Sequence, residues 1–310
     1  MSDSQKIVPN LWFNGTAAEA ADWYTSIFPG GTINATSRYP ESAAEGLADF
    51  QQGLAGKVLT IDFSLGGYRF VGINAGAEFA PNHTISFFVY FNTAQSQNPR
   101  EDLDALWAKL MEGGEALMEL GEYPFSEHYG WVKDKYGVSW QLMLTPIDGA
   151  DHGFIVPSLL FTSATGLRAE EALTYYTETF KDSKQGHFER YAEGQGAPGT
   201  VVGSLMYGDV QLDGQWLAAM DSPFEQEAVF TEGVSLAVNC KDQVEIDELW
   251  SKLSAHSENE QCGWCKDKFG VSWQIVPGNM EELMQQPGAF ATLMQQKKIV
   301  IDAYYPKSNQ

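Results

Sequence analysis

Ser126-Glu127-His128-Tyr129 sets a carboxylate beside an imidazole, the residue types that general acid–base chemistry uses. Neighbours on a strand point to opposite sides, so Glu127 and His128 are weak catalytic candidates that depend on the local turn. Cys262-Gly-Trp-Cys265 has C-x-x-C spacing, which serves redox chemistry when the first thiol opens a helix. Gly194-Gln-Gly196-Ala-Pro-Gly199 matches G-x-G-x-x-G, which cradles a phosphate when a strand precedes it and a helix follows. Here Thr200 to Leu205 reads as a strand instead, so a turn-rich loop is expected. Ser139 and Ser272 are hydroxyls without a sequence-suggested His base, which leaves hydrogen bonding as their expected role.

A duplication judges these motifs. Gly130 to Gln141 reads GWVKDKYGVSWQ and Gly263 to Gln274 reads GWCKDKFGVSWQ. Ile7-Val8-Pro9 recurs as Ile155-Val156-Pro157, and Tyr24-Thr25 with Phe28 recurs as Tyr176-Thr177 with Phe180. Leu103, Leu106, Trp107 and Leu110 recur as Ile246, Leu249, Trp250 and Leu253. The order is the same throughout, so nearly the whole chain is two copies of one unit. Each C-x-x-C, G-x-G-x-x-G and Glu-His feature occurs in one copy only. Tyr129 stands where Cys262 does, and Gln261 replaces His128. On a strand, Cys262 and Cys265 would point apart, a poor disulfide geometry.

The elements that carry these residues are mixed α and β. Val8 to Phe13 reads as a strand, and Thr16 to Phe28 as a helix with capping-box spacing at Thr16 and Glu19. Val58 to Phe63 and Tyr68 to Ile73 read as strands turned at Gly66-Gly67, and Ile85 to Phe91 as another strand. A second helix opens at Asn98-Pro99 and ends at Gly113-Gly114. Two closing strands flank the turn Asp134-Lys-Tyr-Gly137, whose Lys133-Asp134-Lys135, like Lys266-Asp267-Lys268, reads as a solvated charge cluster. The halves are taken as 1–148 and 149–310, joined through the turn-rich stretch around Pro146 to Gly153. Two modules side by side within each half would leave one face of the sheet as a cup.

The 310 residues suffice for two domains, and 44% hydrophobic content fits packed cores. A net charge of −22 argues against nucleic acid and anionic lipid as partners. No apolar run approaches the ~20 residues of a membrane span, and the start lacks signal-peptide features, so a cytoplasmic location is expected. Three cysteines argue against a disulfide scaffold.

Ile-Val-Pro-x-Leu-x-Phe at the start, Tyr-Thr-x-x-Phe at the first helix end, and Tyr-Gly-Trp-x-x-Asp-x-Tyr-Gly-Val-Ser-Trp-Gln at the close together resemble the PhnB-like branch of the vicinal oxygen chelate superfamily. So does the tail Met294 to Asp302. This branch is labelled 3-demethylubiquinone-9 3-methyltransferase, and the superfamily includes glyoxalase I, dioxygenases and bleomycin-resistance proteins. The resemblance implies an α+β fold of tandem glyoxalase-like domains, each of two βαβββ modules forming a cupped mixed sheet. It implies ligands at four inward strand positions per domain in metal-using members. Those positions align with Pro9/Pro157, Val71/Ala218, Thr84/Gly233 and Gln141/Gln274. His83 and Glu232 stand one residue from the third. No metal or other cofactor is therefore predicted, with a divalent ion as the alternative if His83 or His128 converges on Gln141. Gln141, Ser139, Gln274 and Ser272 are the candidate cavity residues, either for a ligand or as satisfied strand residues. The expected function is binding of a small molecule; a metal-dependent lyase, isomerase or dioxygenase is the alternative, and a methyltransferase of the usual fold is disfavoured. The halves should form an intrachain pseudo-dimer, with a homodimer left open. If only one half is active, His83 and His128 favour the first.

Overall fold

A computed structural model describes residues 5–146, 152–196, 199–222 and 228–305. The first half runs β1 (Ile7–Phe13), α1 (Ala17–Ile27), β2 (Thr32–Arg38), β3 (Val58–Leu65), β4 (Tyr68–Asn74), then β5 (Ile85–Phe91), α2 (Pro99–Leu110), β6 (Glu115–Tyr123), β7 (Ser126–Lys133) and β8 (Ser139–Leu144). The second repeats it as β9 (Ile155–Thr162), α3 (Ala169–Thr179), β10 (Lys184–Arg190), β11 (Leu205–Leu212), β12 (Gln215–Ser222), β13 (Val234–Cys240), α4 (Gln243–Leu253), β14 (Trp264–Lys266) and β15 (Ser272–Pro277). A helical turn at Ser257–Asn259 precedes β14, where the first half has β6. Two short helices follow, α5 (Met280–Met284) and α6 (Ala289–Met294).

The fold is α+β with two mixed sheets and two copies of one unit. The sheets do not follow the sequence halves. A seven-stranded sheet runs β14-β15-β13-β1-β4-β3-β2, and an eight-stranded sheet runs β10-β11-β12-β9-β5-β8-β7-β6. Each joins the first module of one half to the second module of the other. The seams are antiparallel: Pro9 opposite Leu236 in one, and Phe87 opposite Pro157 in the other. The expectation that two modules of one half sit side by side is thus corrected. Backbone groups at a strand edge must find partners, and here those come from the other copy. The proposed boundary between 148 and 149 lies outside the described residues.

One core lies between the sheets. It joins Leu11, Phe63 and Phe70 of the seven-stranded sheet to Phe87, Trp140 and Leu159 of the other, with α1 to α4 contributing apolar faces. Phe70 meets Phe87 edge-on with ring centroids 5.0 Å apart. The opposite face of each sheet is turned away from this core.

The turn carboxylates expected in solvent are buried. Asp134 is 3% exposed and Asp267 is fully enclosed. Asp134 Oδ2 accepts from the Tyr24 hydroxyl and the Trp140 indole, both at 2.8 Å. Its Oδ1 accepts from the backbone N–H of Tyr136 and Val138 at 2.8 and 3.0 Å. Asp267 repeats the pattern with Tyr176, Trp273, Phe269 and Val271. Burial raises both carboxyls above their ordinary value, although each accepted hydrogen bond opposes it. Tyr24 is on a helix of one sheet and Asp134 on a turn of the other, so each carboxylate ties the sheets together.

The caps of α1 and α3 also come from elsewhere. Thr16 makes no side-chain cap bond. Asn74 of β4 accepts the first N–H of α1, from Ala17, at 2.9 Å, and Asp221 of β12 does the same for Ala169 of α3 at 3.0 Å.

Candidate functional site

The outward faces are the places where cups could form. Alternation along the strands decides which residues they hold. On the eight-stranded sheet, Ser139 pairs with Ser86, Ser86 with Ser158, Ser158 with Ala218, and Ala218 with Asp209. Gln141 lies in the next row, opposite Phe88. The seven-stranded sheet holds Ser235, Asn10, Val71 and Asp62 in the matching places. Pro9 and Pro157 are one residue away, facing the core, so Asn10 and Ser158 replace them as the first-strand positions. Thr84 and Gly233 lie two residues before Ser86 and Ser235, just outside β5 and β13. A strand's two-residue period makes a one-residue slip change every side chain in the row.

Gln141 is engaged at both ends of its amide. Its Oε1 accepts from the Tyr129 hydroxyl at 2.5 Å and its Nε2 donates to Ser86 Oγ at 2.7 Å. Gln274 donates to Ser235 Oγ at 2.9 Å. Ser139 Oγ accepts from the Trp131 indole at 2.6 Å. Ser272 is buried on the other open face, in register with Lys266.

His128 points the other way. It lies against α2, with its Nε2 2.5 Å from Asp104 and its Nδ1 3.2 Å from Arg100. It therefore does not converge with Gln141, which is on the opposite sheet face. Glu127 is exposed. His83 precedes β5 and stands edge-on to Trp131, ring centroids 6.5 Å apart. Each sheet takes one module from each half, so neither half is a self-contained site.

A divalent cation of the superfamily's type needs several imidazole or carboxylate donors on one point. The rows instead carry Ser158, Ala218, Ser86 and Gln141 in one sheet, and Asn10, Val71, Ser235 and Gln274 in the other. Hydroxyl, methyl and engaged amide groups do not fit that ion. Among the described residues, no three His, Cys, Asp or Glu side chains are grouped to hold a metal.

The two outward faces differ in chemistry. On the eight-stranded sheet, Phe88, Tyr90, Tyr129, Val156 and Ala218 form an apolar cluster flanked by Met118, Trp131, Met143, Tyr207, Trp216 and Met220. The rings of Phe88 and Tyr90 stack at 5.5 Å. Ser158 Oγ is buried in this floor and makes no hydrogen bond, an expensive state for a hydroxyl. Asp209 Oδ2 accepts from His152 Nε2 at 2.9 Å and from the Tyr207 hydroxyl at 3.0 Å, and Oδ1 from the His187 N–H at 2.8 Å. Burial pushes the Asp209 carboxyl up, but the bonds from His152 and the His187 N–H outweigh it and hold it below its ordinary value. Burial raises the Tyr90 and Tyr207 phenols, so both stay protonated. Their hydroxyls lie 3.4 Å apart, longer than an ordinary O–H···O bond of about 2.7–2.8 Å.

On the seven-stranded sheet the same positions are self-satisfied. Asn10 Nδ2 donates to the Val8 carbonyl at 2.9 Å, Val71 fills the place of Ala218, and Asp62 accepts from Arg69 Nε at 2.6 Å and Asn34 Nδ2 at 2.7 Å. Asp62 and Asp209 occupy the same place in the duplication, the signal by which Asp209 could have been found. Ser158, Tyr207, Tyr90 and His152 had no such signal, because their importance lies in cross-strand neighbours. Two shallow surface hollows lie elsewhere, one beside α3 lined by Glu171, Tyr175 and Lys268, and one at the start of α4.

The single-copy motifs are placed apart from this site. The Gly194–Gly199 run lies between β10 and β11 and no helix follows it; Ala197 and Pro198 lie outside the described residues. The strand expected from Thr200 begins at Leu205. The three cysteines are free thiols.

A family model described as 3-demethylubiquinone-9 3-methyltransferase matches residues 5–143 and again 154–276. A PhnB protein from Bacillus cereus is 38% identical over 46% of this chain and 100% of that one, with a TM-score of 0.38. A protein from Staphylococcus aureus is 30% identical over 46% of this chain and 97% of that one, with a TM-score of 0.18. A glyoxalase I mutant from Zea mays, 10% identical, covers 90% of this chain and 94% of its own with a TM-score of 0.53, a likeness of fold alone. A search of curated proteins finds no significant match.

Proposed function

We propose that this chain, which belongs to the 3-demethylubiquinone-9 3-methyltransferase family, binds a small flat organic molecule on the open face of its eight-stranded sheet without a divalent metal. The observation that carries this reading is the unpartnered Ser158 hydroxyl in an aromatic floor. Beside it stands Ala218, a smaller side chain than Val71 at the matching place of the other sheet. A ligand acceptor group would satisfy Ser158 and recover the cost of its burial. Aromatic walls with a few placed polar groups are the usual make-up of a small-molecule site. Met118, Met143 and Met220 around the floor are side chains able to repack about an entering ring.

The Tyr90–Tyr207 pair sets the polar end. Tyr207 donates its hydrogen bond to Asp209, so its oxygen is left to accept. Tyr90 has a proton poorly used at 3.4 Å. One acceptor beside one donor matches a group that is both, such as a hydroxyl. The row's one carboxylate, Asp209, is already taken up by His152, Tyr207 and the His187 N–H, and its other members are hydroxyl, methyl and amide groups, which supports the metal-free reading. The glycine run, which no helix follows, supports no phosphate-type cofactor cradle there.

The test uses the full chain and titrates flat aromatic compounds, with and without a hydroxyl, by tryptophan fluorescence. Ala218→Phe is expected to abolish binding while leaving the melting temperature within a few degrees. Tyr207→Phe is expected to erase the preference for the hydroxylated compound. Binding that requires stoichiometric divalent metal, or that survives Ala218→Phe unchanged, overturns the reading.

A further inference from the structure

The seven-stranded sheet has a companion the eight-stranded sheet lacks. Strands set ~4.8 Å apart would place β14 and β2, at its two edges, ~29 Å from each other in a flat sheet. One short segment nevertheless touches both sides. Phe290 of α6 packs with Tyr39 and Leu47, which follow β2, and Met294 joins Leu54 and Leu59 in the same cluster. Three residues after Phe290, the Leu293 carbonyl meets the Cys262 thiol at 3.4 Å, and the Met294 carbonyl accepts from Gln261 Nε2 at 2.7 Å. The N–H groups of Cys262 and Gly263, which lead into β14, donate to Gln296 and Lys297 at 2.7 Å. A helix advances only ~1.5 Å per residue, so the edges of this sheet must curl toward each other and the segment must span the gap.

We propose that residues 284–297 are a cover seated across the mouth of the seven-stranded sheet, closing that cup in cis and leaving the chain one open cup. The last clause rests on the ligand reading of the eight-stranded sheet; the cover itself does not. Exposed apolar side chains flank both sheets, and Phe50, between β2 and β3, is 80% exposed beside the covered one. Phe125, just before β7, is 54% exposed, and Val201 and Val202, between β10 and β11, are 50% and 62% exposed. The floors differ: Asn10, Val71 and Asp62 need nothing from outside, while Ser158 does. The cover is held by a small cluster of its own, with Leu283, Ala289, Ile299 and Tyr304 apart from the main core. Segments held by such satellite contacts open without global unfolding.

Cys262 reports the cover. Cys240 and Cys265 are each 1% exposed in the main core, whereas Cys262 lies beneath Leu293 and Met294. Labelling of the full chain with an aromatic disulfide is expected to modify Cys262 first. Phe290→Asp is expected to speed that reaction at least tenfold, leave Cys240 and Cys265 slow, and add a binding site for an apolar dye. If Cys262 reactivity does not change, or all three thiols quicken together, the segment is not a separable cover and the proposal fails. Hydrogen exchange on the unaltered protein gives the second measurement. The amides of Cys262 and Gly263 should exchange faster than those of the β13–β15 ladder, with little dependence on urea; exchange at the global rate overturns the proposal. Ligand stoichiometry separates the two readings. Two equivalents on the unaltered chain overturn the cover and leave ligand binding standing, whereas no ligand at either cup with a freely opening Cys262 does the reverse.

Discussion

At the scale of single residues, the molecule's most constrained groups are Asp134 and Asp267. Each accepts four hydrogen bonds, and each joins a helix of one sheet to a turn of the other. Replacing Asp134 by Asn puts an N–H donor where the Tyr24 hydroxyl and Trp140 indole also donate. The expected loss is about 1–3 kcal/mol, read from urea unfolding. The pH dependence follows from the direction of the shift. A carboxyl raised in the folded state contributes most below its unfolded value near ~4 and progressively less as pH climbs through the folded value. The stability gap between the unaltered chain and Asp134→Asn is therefore expected to widen as pH falls from neutral toward that unfolded value. A gap that narrows over that range would place the folded value below the unfolded one. The twelve-residue repeat is explained at this scale: its Asp, aromatic and Trp positions are the hub and its donors. The sequence made the Asp look like a solvated turn residue because its partners Tyr24 and Tyr176 lie about a hundred positions away in the chain.

At the scale of elements, helices α1 and α3 depend on strand residues for their first turns. Asn74→Ala should cost about 1 kcal/mol, as loss of a cap does. Each cap also pins a strand start: Asn74 Nδ2 donates to the Val58 carbonyl at 3.0 Å, and Asp221 accepts from the Leu205 N–H at 2.9 Å. Asp221→Ala should cost more because bonds to a carboxylate are the stronger ones; urea midpoints of the two variants check the order, and a larger loss for Asn74→Ala would reverse it. Most elements were legible from local pattern: the helix from Thr16, the hairpin at Gly66-Gly67 and the Pro99 helix start all lie where their spacing puts them. Register was legible only in part. Gln141 and Gln274 were placed on the open faces, but Pro9 and Pro157 were taken for their neighbours Asn10 and Ser158. A run such as Ile155 to Thr162 is buried on both faces, and no polar alternation marks which side is which. The candidates fared according to range. Glu127 and His128 were separable by strand alternation alone, whereas the Asp209, Tyr207 and His152 cluster needed knowledge of which strands meet.

At the scale of the whole molecule, partner choice between strands decides the behaviour of the halves. Neither half completes a sheet, since β1 needs β13 and β9 needs β5. Residues 1–146 expressed alone are expected to form a homodimer in which each copy supplies the missing module, not a folded monomer. Light scattering distinguishes the two. In the intact chain the core is continuous between the sheets, so far-ultraviolet circular dichroism and tryptophan fluorescence should trace one coincident urea transition. Two separated transitions would mean that the sheets are independent units. The joining segment makes sheet assembly independent of protein concentration, with an effective local concentration in the millimolar range for a short linker. It has another outcome, tied to the cover. Two identical chains have two C-termini, so a cover inherited by one cup is inherited by both, and any change that seals a site seals its twin. A fused chain has a single C-terminus. One cup can be sealed for good while its twin stays open to change, and every substitution in either is tried once rather than in duplicate. Fusion has turned a symmetric pair into a molecule with a front and a back.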